Sequence, residues 1–309
     1  MAVMEITTNI GCKNNCVYCP QAELIRAYSK RSKTLQMSFD VFKTCIDKIP
    51  TIVDIGFAGM SEPWLNPECT KMLLYAHKRG HRVFVNTTLV GMNISDISAL
   101  ETIPFRYFHV HLPSEEGYEN IEIDDTYLSV LDNLIRSEIE VTYIIHTKNI
   151  NSKIKLPIEK NKILYIPLHS RCRNIKIKNN SLPDRRGGVI GCERELRWNI
   201  LIPSADVLLC CMDYGMRHIL GNLITSDYYS LFRSKEYRKV KRALKDESLD
   251  IICRYCELYA YNVTLATKIK TYKYYPLQLL RNISHHRLNN SLGFLKGIIL
   301  KLKDMYLAI

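Results

Sequence analysis

Short apolar runs alternate with longer amphipathic stretches over roughly the first half of the chain. Apolar runs of a few residues are typical of buried strands, and the longer stretches between them place apolar residues at helical spacing. The predicted strands are Met4–Ile10, Ile52–Ala58, Arg82–Thr87, Tyr107–Leu112, Val141–His146 and Ile163–Leu168. The predicted helices are Ser38–Lys48, Pro67–Arg79, Ile94–Glu101 and Tyr127–Ser137.

Strands that alternate with helices in this way favour an α/β fold with a parallel sheet, either open or curved into a partial barrel. In such folds functional residues gather at the carboxyl ends of the strands. The Asn-, Pro- and Gly-rich segment from Asn179 to Gly191 is typical of a linker. A second cysteine-rich region follows from Cys192 to Cys256, and a third segment begins near Tyr261.

Three cysteines, Cys12, Cys16 and Cys19, form a C-x3-C-x2-C triplet directly after the first predicted strand. Three thiolates can hold three irons of a cubane [4Fe–4S] cluster and leave the fourth iron open to another ligand. A zinc site is the alternative interpretation, although structural zinc prefers paired C-x2-C units with a fourth ligand nearby.

The triplet, with the aromatic Tyr18 before its third cysteine, resembles the signature of the radical S-adenosylmethionine (radical SAM) enzymes. The resemblance implies that the open iron binds S-adenosylmethionine (AdoMet), which an electron cleaves to a 5′-deoxyadenosyl radical. It also implies that residues 1–177 form a (βα)6 partial TIM barrel with the triplet in the loop after the first strand.

The segment Gly59–Pro67 is similar to the Gly-Gly-Glu motif that binds the methionyl ammonium group in this family, with Ser61 in place of the second glycine. A plain strand-to-helix loop with a solvated glutamate is the alternative. Ser114 follows the fourth predicted strand, where the family often contacts AdoMet. The resemblance thus implies AdoMet contacts from Tyr18, Gly59, Ser61, Glu62, Ser114 and Arg171.

Arg171 and Cys172 lie in a segment, His169–Asn174, that resembles the Ser-Arg-Ala-Gly-Asn segment found before auxiliary domains of this superfamily. We interpret Arg171 as a guanidinium that holds AdoMet or an anionic or hydroxylated substrate. Cys172 is either a hydrogen-atom donor to a substrate radical or a small buried residue. Three histidines near strand ends are candidates for proton transfer, substrate binding or a structural role: His109, His111 and His146.

A second set of cysteines has the spacing C-x17-C-x42-C-x2-C and is sufficient for a second [4Fe–4S] cluster, with structural zinc as the alternative. After a radical SAM barrel this spacing resembles a SPASM domain of the short twitch type, over residues 192–258. Cys211 is adjacent to one ligand candidate and is interpreted as a spare thiol or a second hydrogen donor. The four predicted ligands are Cys192, Cys210, Cys253 and Cys256.

The resemblance predicts hydrogen abstraction from a carbohydrate-like small molecule, followed by oxidation or epimerisation, with Cys172, Cys211 and Arg171 as catalytic candidates. Flavodoxin or ferredoxin would supply the electron. Peptide or RNA modification and a non-catalytic metal scaffold are the alternatives. Cys45 and Cys69 fall inside predicted helices and are expected in the core.

Composition and charge indicate the cellular environment of the chain. The chain has 309 residues, eleven cysteines and a net charge of +12. Met1 to Ile10 lacks the pattern of a secretory signal, so we expect reduced thiols and a cytoplasmic location. Residues 261–309, a predicted basic helical extension, have eight basic residues and one acid. This segment suggests an anionic partner, such as the inner face of a membrane, or a solvated extension; nucleic acid is the less expected partner.

Overall fold

The computed structural model describes residues 2–177 and 181–264 and contains a nine-stranded sheet built around six parallel strands. The β1 and β2 strands are buried throughout, as expected of strands covered on both faces. The six strands are β1 (Val3–Ile6), β2 (Asp54–Phe57), β3 (Val83–Thr87), β4 (Phe108–His111), β5 (Val141–Ile145) and β6 (Ile163–Tyr165).

Amphipathic helices cover the outer face of these strands. Side-chain caps fix where several begin: Ser38 accepts from Val41 N, and Asp124 accepts from Tyr127 N. The buried faces of the helices after residue 38 join the outward side chains of the strands in one large core that includes Cys45 and Cys69, as expected. Leu24 and Tyr28 of the first helix pack in a second cluster. The helices are α1 (Gln21–Ser29), α2 (Phe39–Ile46), α3 (Cys69–Lys78), α4 (Ile94–Leu100) and α5 (Asp125–Arg136).

The second cysteine-rich region continues the same sheet. Its strand β8 (Trp198–Leu201) pairs in parallel with β1, from Val3 opposite Trp198 to Ile6 opposite Leu201. Two antiparallel strands then extend the edge, so that the sheet order is β10-β9-β8-β1-β2-β3-β4-β5-β6. The remaining elements are β7 (Ile190–Cys192), β9 (Asp206–Leu208), β10 (Ile219–Asn222), α6 (Tyr228–Leu231), α7 (Lys235–Ala243) and β11 (Ala260–Asn262), and β11 pairs with β7.

Residues up to Tyr261 form one compact unit. The basic extension predicted at 261–309 lies almost entirely outside the described residues, so it stays a prediction. Within the described part of the chain, no helix is both long enough and apolar enough to span a bilayer.

Candidate functional site

The cysteine triplet lies in the loop between β1 and α1, at the carboxyl end of the sheet. Cys12, Cys16 and Cys19 are each half-buried, and none is in a disulfide. Burial raises the pKa of Cys16 to about 12, and the charges of Cys19 and Cys12 add to that rise. The three thiols are therefore close neighbours that need a cationic centre to stay deprotonated, which an iron cluster provides.

Further side chains surround the third cysteine of the triplet. Gln21 Nε2 donates to Cys19 Sγ at 3.4 Å, and the Tyr214 hydroxyl lies 3.8 Å from the same sulfur. Gln21 also donates to the carbonyl of Met60. The triplet loop is thus tied both to the loop after β2 and to the second cysteine-rich region.

Glu62 is buried in the loop after β2 and accepts several hydrogen bonds. Thr87 Oγ1 donates to Oε1 at 2.6 Å, and the backbone N and Oγ1 of Thr88 donate to Oε2 at 2.6 and 2.7 Å. Burial raises the pKa of Glu62 despite these donors. Burial raises the pKa of Cys12, and the backbone N–H groups of Asn14 and Glu62 oppose the rise, which places Glu62 beside the triplet. The predicted contact of Glu62 with AdoMet stays a prediction.

Gly59 and Ser61 shape the same loop. Gly59 has φ +66°, which favours glycine. A Cβ there would lie 3.0 Å from Ile6 O and from Thr7 N, so the backbone at the end of β1 leaves no room for a side chain. Ser61 Oγ donates to Asn9 Oδ1 at 3.2 Å. The predicted AdoMet contacts of these two residues stay predictions.

Glu119 is a residue of this site that the sequence analysis missed. The Tyr18 hydroxyl donates to its Oε1 at 2.9 Å, and Ser114 donates to its Oε2 from both N and Oγ, at 2.9 and 2.8 Å. One buried carboxylate therefore joins the triplet loop to the loop after β4. No sequence motif includes Glu119, which lies five residues after Ser114 in an acidic loop.

A tight left-handed turn positions Arg171 and Cys172. The φ angles of Arg171, Cys172 and Arg173 are 51°, 57° and 66°, a conformation that costs about 1–2 kcal/mol per residue outside glycine. Ser170 N and Oγ hold the turn by donating to Glu257, and Asn174 Nδ2 donates to the Met212 carbonyl at 2.7 Å.

Arg171 lies between the two cysteine sets. Burial lowers its pKa, but the neighbouring Tyr214 hydroxyl and the Cys211 and Cys19 thiols outweigh burial, so that the net pKa is raised. Cys19 belongs to the triplet, and Cys211 is adjacent to Cys210 of the second set. The guanidinium therefore interacts with both sets from one position.

The second cysteine set lines an apolar pocket. The pocket contains six thiols: those of Cys172, Cys192, Cys210, Cys211, Cys253 and Cys256. A hydrogen bond from Cys172 outweighs burial and lowers the pKa of Cys256 to about 6. A thiol-rich, otherwise apolar pocket fits an iron–sulfur cluster. The structure thus places Cys172 in this pocket, beside Cys256, and its predicted role as a hydrogen donor stays a prediction.

Arg194 donates a hydrogen bond to the Cys211 sulfur at 3.3 Å. This contact with an arginine distinguishes Cys211 from the four predicted cluster ligands. The Arg194 guanidinium lies between the rings of Trp198 and Tyr259, 3.7 and 3.6 Å from their centroids. The sequence analysis missed Arg194, since a single arginine carries no spacing signal. Across residues 2–177 and 181–264, no three His, Cys, Asp or Glu side chains converge on the position of a single metal ion.

Polar side chains line the barrel interior between these sites. Trp198 Nε1 donates to Glu5 Oε1 at 2.7 Å, and burial raises the pKa of Glu5 although Arg194 opposes the rise. His109 and His111 share one face of β4, as their i, i+2 spacing predicts. These polar side chains lie beside an apolar cluster of Val3, Ala58 and Phe84.

Comparisons with known proteins agree with this geometry. Residues 192–257 match the SPASM family, described as an iron–sulfur cluster-binding domain. A search of curated proteins finds no match.

Three solved structures illustrate the structural similarity. BtrN in complex with AdoMet and 2-DOIA is 15 % identical, with a TM-score of 0.55 over 85 % of this chain and 94 % of that chain. The enzyme anSMEcpe with bound AdoMet and Cp18Cys peptide is 13 % identical, with a TM-score of 0.55 over 82 % and 86 %. SuiB of Streptococcus suis, bound to its precursor peptide SuiA, is 10 % identical, with a TM-score of 0.56 over 82 % and 69 %.

The structural matches confirm the predicted partial-barrel fold class. The SPASM match supports an iron–sulfur cluster in residues 192–257. The chain therefore has the radical SAM fold and carries a SPASM iron–sulfur domain after its barrel, as the two cysteine motifs predicted.

Proposed function

We propose that this protein is a radical SAM enzyme that oxidises or epimerises a carbohydrate-like small molecule. The observation that carries the proposal is the position of Arg171, which interacts with Cys19 of the triplet and with Cys211, the neighbour of Cys210 in the second set. A substrate held at Arg171 would lie between the two cysteine sets. The polar side chains of Glu5, His109 and His111 support a substrate that carries hydroxyl groups.

Cys12, Cys16 and Cys19 would hold the first cluster, and Cys192, Cys210, Cys253 and Cys256 would hold the second. When bound, the first cluster supplies the electron that cleaves AdoMet and so generates the radical that abstracts hydrogen.

The protein residues bind and orient the reactants. Glu62 accepts hydrogen bonds at the cofactor side, and Glu119 fixes Tyr18 and Ser114. Arg171 offers paired donors to substrate oxygens, and its left-handed turn is held by Ser170 and Glu257. Rigid support of this kind keeps the reacting carbon in place.

Peptide modification is the second candidate, because anSMEcpe and SuiB are both described with bound peptides. A buried interior lined by histidines and a carboxylate favours a small, hydroxylated substrate over an extended chain. We further propose a flavodoxin or ferredoxin as electron donor and a cytoplasmic location. Contact of the basic residues 261–309 with a membrane surface is proposed from the sequence alone.

The test is incubation of the reduced, reconstituted protein with AdoMet and a panel of sugars and aminocyclitols in deuterated buffer. Deuterium in an isomeric product identifies epimerisation, and a mass loss of two hydrogens identifies oxidation. An Arg171→Lys variant, which keeps the charge and loses the paired donors, should lose at least tenfold in turnover. Modification of a peptide, with every carbohydrate left unchanged, would contradict the proposal.

A further inference from the structure

Two histidines in the barrel interior form a continuous chain of hydrogen bonds with a backbone carbonyl. His111 ends β4, and His146 directly follows β5. Nδ1 of His111 lies 3.2 Å from Nε2 of His146, and Nδ1 of His146 lies 2.9 Å from the carbonyl oxygen of Ile166. The centroids of the two imidazole rings are 5.3 Å apart.

The carbonyl determines the direction of this chain. A carbonyl oxygen only accepts, so Nδ1 of His146 carries the hydrogen. A neutral imidazole has one N–H, so Nε2 of His146 is an acceptor, and Nδ1 of His111 must donate to it. Nε2 of His111 is left without a hydrogen, as a bare acceptor. Burial, with the charges of His146, His109 and Arg171, lowers the pKa of His111 to about 3, so the neutral ring is the resting form.

The bare nitrogen faces the barrel interior. His111 shares the inner face of β4 with His109. Within residues 2–177 and 181–264, no protein group donates to Nε2 of His111, and this atom is not among the unpartnered polar atoms that are sealed from solvent. Arg171, the proposed substrate-binding residue, is near enough to shift the pKa of His111. A hydroxyl held at Arg171 would therefore meet an acceptor at His111.

We propose that His111 is a catalytic residue whose Nε2 accepts a proton from a hydroxyl group of the substrate, and that His111 passes its own Nδ1 proton to His146. The inference rests on the proposed function, in its oxidative form. The substrate O–H bond breaks and an Nε2–H bond forms on His111. The Nδ1 proton of His111 then passes to Nε2 of His146, which keeps its Nδ1–H bond to Ile166. Two protons move in sequence, so that the histidine pair gains one proton from the substrate, and no electrons are transferred in this step.

The charges around the pair favour this direction. Arg171 and His109 lie around His111 and oppose a positive charge there. Burial lowers the pKa of His146 as well, and Arg171 adds to the fall, but the hydrogen bond to Ile166 and the carboxylate of Glu119 oppose it. His146 therefore has two neighbouring groups that favour its cation, which His111 lacks.

Histidine tautomers test the arrangement directly. In the reconstituted full chain labelled with ¹⁵N-histidine, long-range ¹H–¹⁵N spectra should show His111 and His146 as Nδ1–H tautomers. His146→Phe removes the acceptor and should convert His111 to the Nε2–H form. His146→Gln retains a carbonyl acceptor and should preserve the Nδ1–H form. His81, whose Nδ1 lies 2.9 Å from the Val53 carbonyl, is the internal reference.

An Nε2–H or cationic His111 in the wild-type chain would overturn the inference. A His111 tautomer that is unchanged in His146→Phe would overturn it as well. Release of 5′-deoxyadenosine by the wild-type chain is measured in parallel and tests the proposed function separately. With the carbohydrate that the wild-type chain converts, His111→Gln should lower turnover by roughly 10²–10⁴-fold. A loss below threefold would refute the catalytic role even if the tautomers are as expected.

Discussion

Arg254 offers a quantitative test of how the second cysteine pocket is held together. It lies between two predicted cluster ligands, is fully buried, and donates to four backbone carbonyls. The acceptors are Leu249 at 3.2 Å, Arg186 at 2.9 Å, Gly188 at 3.1 Å and Ala243 at 2.7 Å. One guanidinium thus fastens the cysteine segment to three other parts of the chain.

The cost of removing Arg254 follows from these bonds. A hydrogen bond from a charged group contributes about 1.5–3 kcal/mol, and such contributions do not add fully. Disruption of a buried charged network typically costs about 3–5 kcal/mol, so we expect about 4 kcal/mol for Arg254→Met. We expect about 2 kcal/mol for Arg254→Lys, because an ammonium has three donors and lacks the planar fork.

Hydrogen exchange by mass spectrometry measures this local loss. Peptides covering residues 186–190 and 243–256 should exchange about a thousandfold faster in Arg254→Met. Iron should fall from about eight to about four per chain as the second cluster is lost. Arg136→Met is the control, since Arg136 is exposed on α5 and pairs with Asp132, and it should change stability by less than about 0.5 kcal/mol. Wild-type exchange and iron content in Arg254→Met would refute the reasoning.

Three further predictions concern single side chains. Burial raises the pKa of Glu5 above its ordinary value of 4.5. The folded chain therefore loses stability as pH rises from that value through the raised pKa. Glu5→Gln should remove this loss, so the difference between its urea midpoint and that of the wild type should increase from pH 5 to pH 8. Cys210→Ala should lose about four irons per chain, whereas Cys211→Ala should keep about eight; the reverse pattern would exchange their assignments. Gly59→Ala should weaken AdoMet binding at least tenfold in equilibrium dialysis, because its Cβ meets Thr7 and its φ is +66°; wild-type affinity would show that this loop is not the cofactor site.

Local patterns in the sequence predicted the parts of the fold that depend on neighbouring residues. The β3 strand, predicted as Arg82–Thr87, is Val83–Thr87, and the helix predicted as Ile94–Glu101 is Ile94–Leu100. The helix Gln21–Ser29 was missed, because its buried residues, Gln21, Leu24 and Tyr28, include a single aliphatic side chain and its N-cap is a proline.

Contacts between distant residues were beyond the sequence. The pairing of Val3 with Trp198 joins the second cysteine region to the barrel sheet, and nothing local to either strand specifies it. Glu119 contacts Tyr18, which lies about a hundred residues earlier in the chain. The direction of the His111–His146 hydrogen-bond chain depends on the carbonyl of Ile166, which follows β6. Spacing finds cysteines that share a metal centre, whereas buried acids and imidazoles become functional through tertiary contacts.

The most direct test of the account is the production of 5′-deoxyadenosine by the reduced, reconstituted chain with AdoMet. The wild-type protein should release it, and a variant with alanine at Cys12, Cys16 and Cys19 should release none while it retains about four irons in the second pocket. Absence of 5′-deoxyadenosine from a wild-type chain that contains about eight irons, or its formation by the variant, would contradict the assignment of the triplet as the site of AdoMet cleavage.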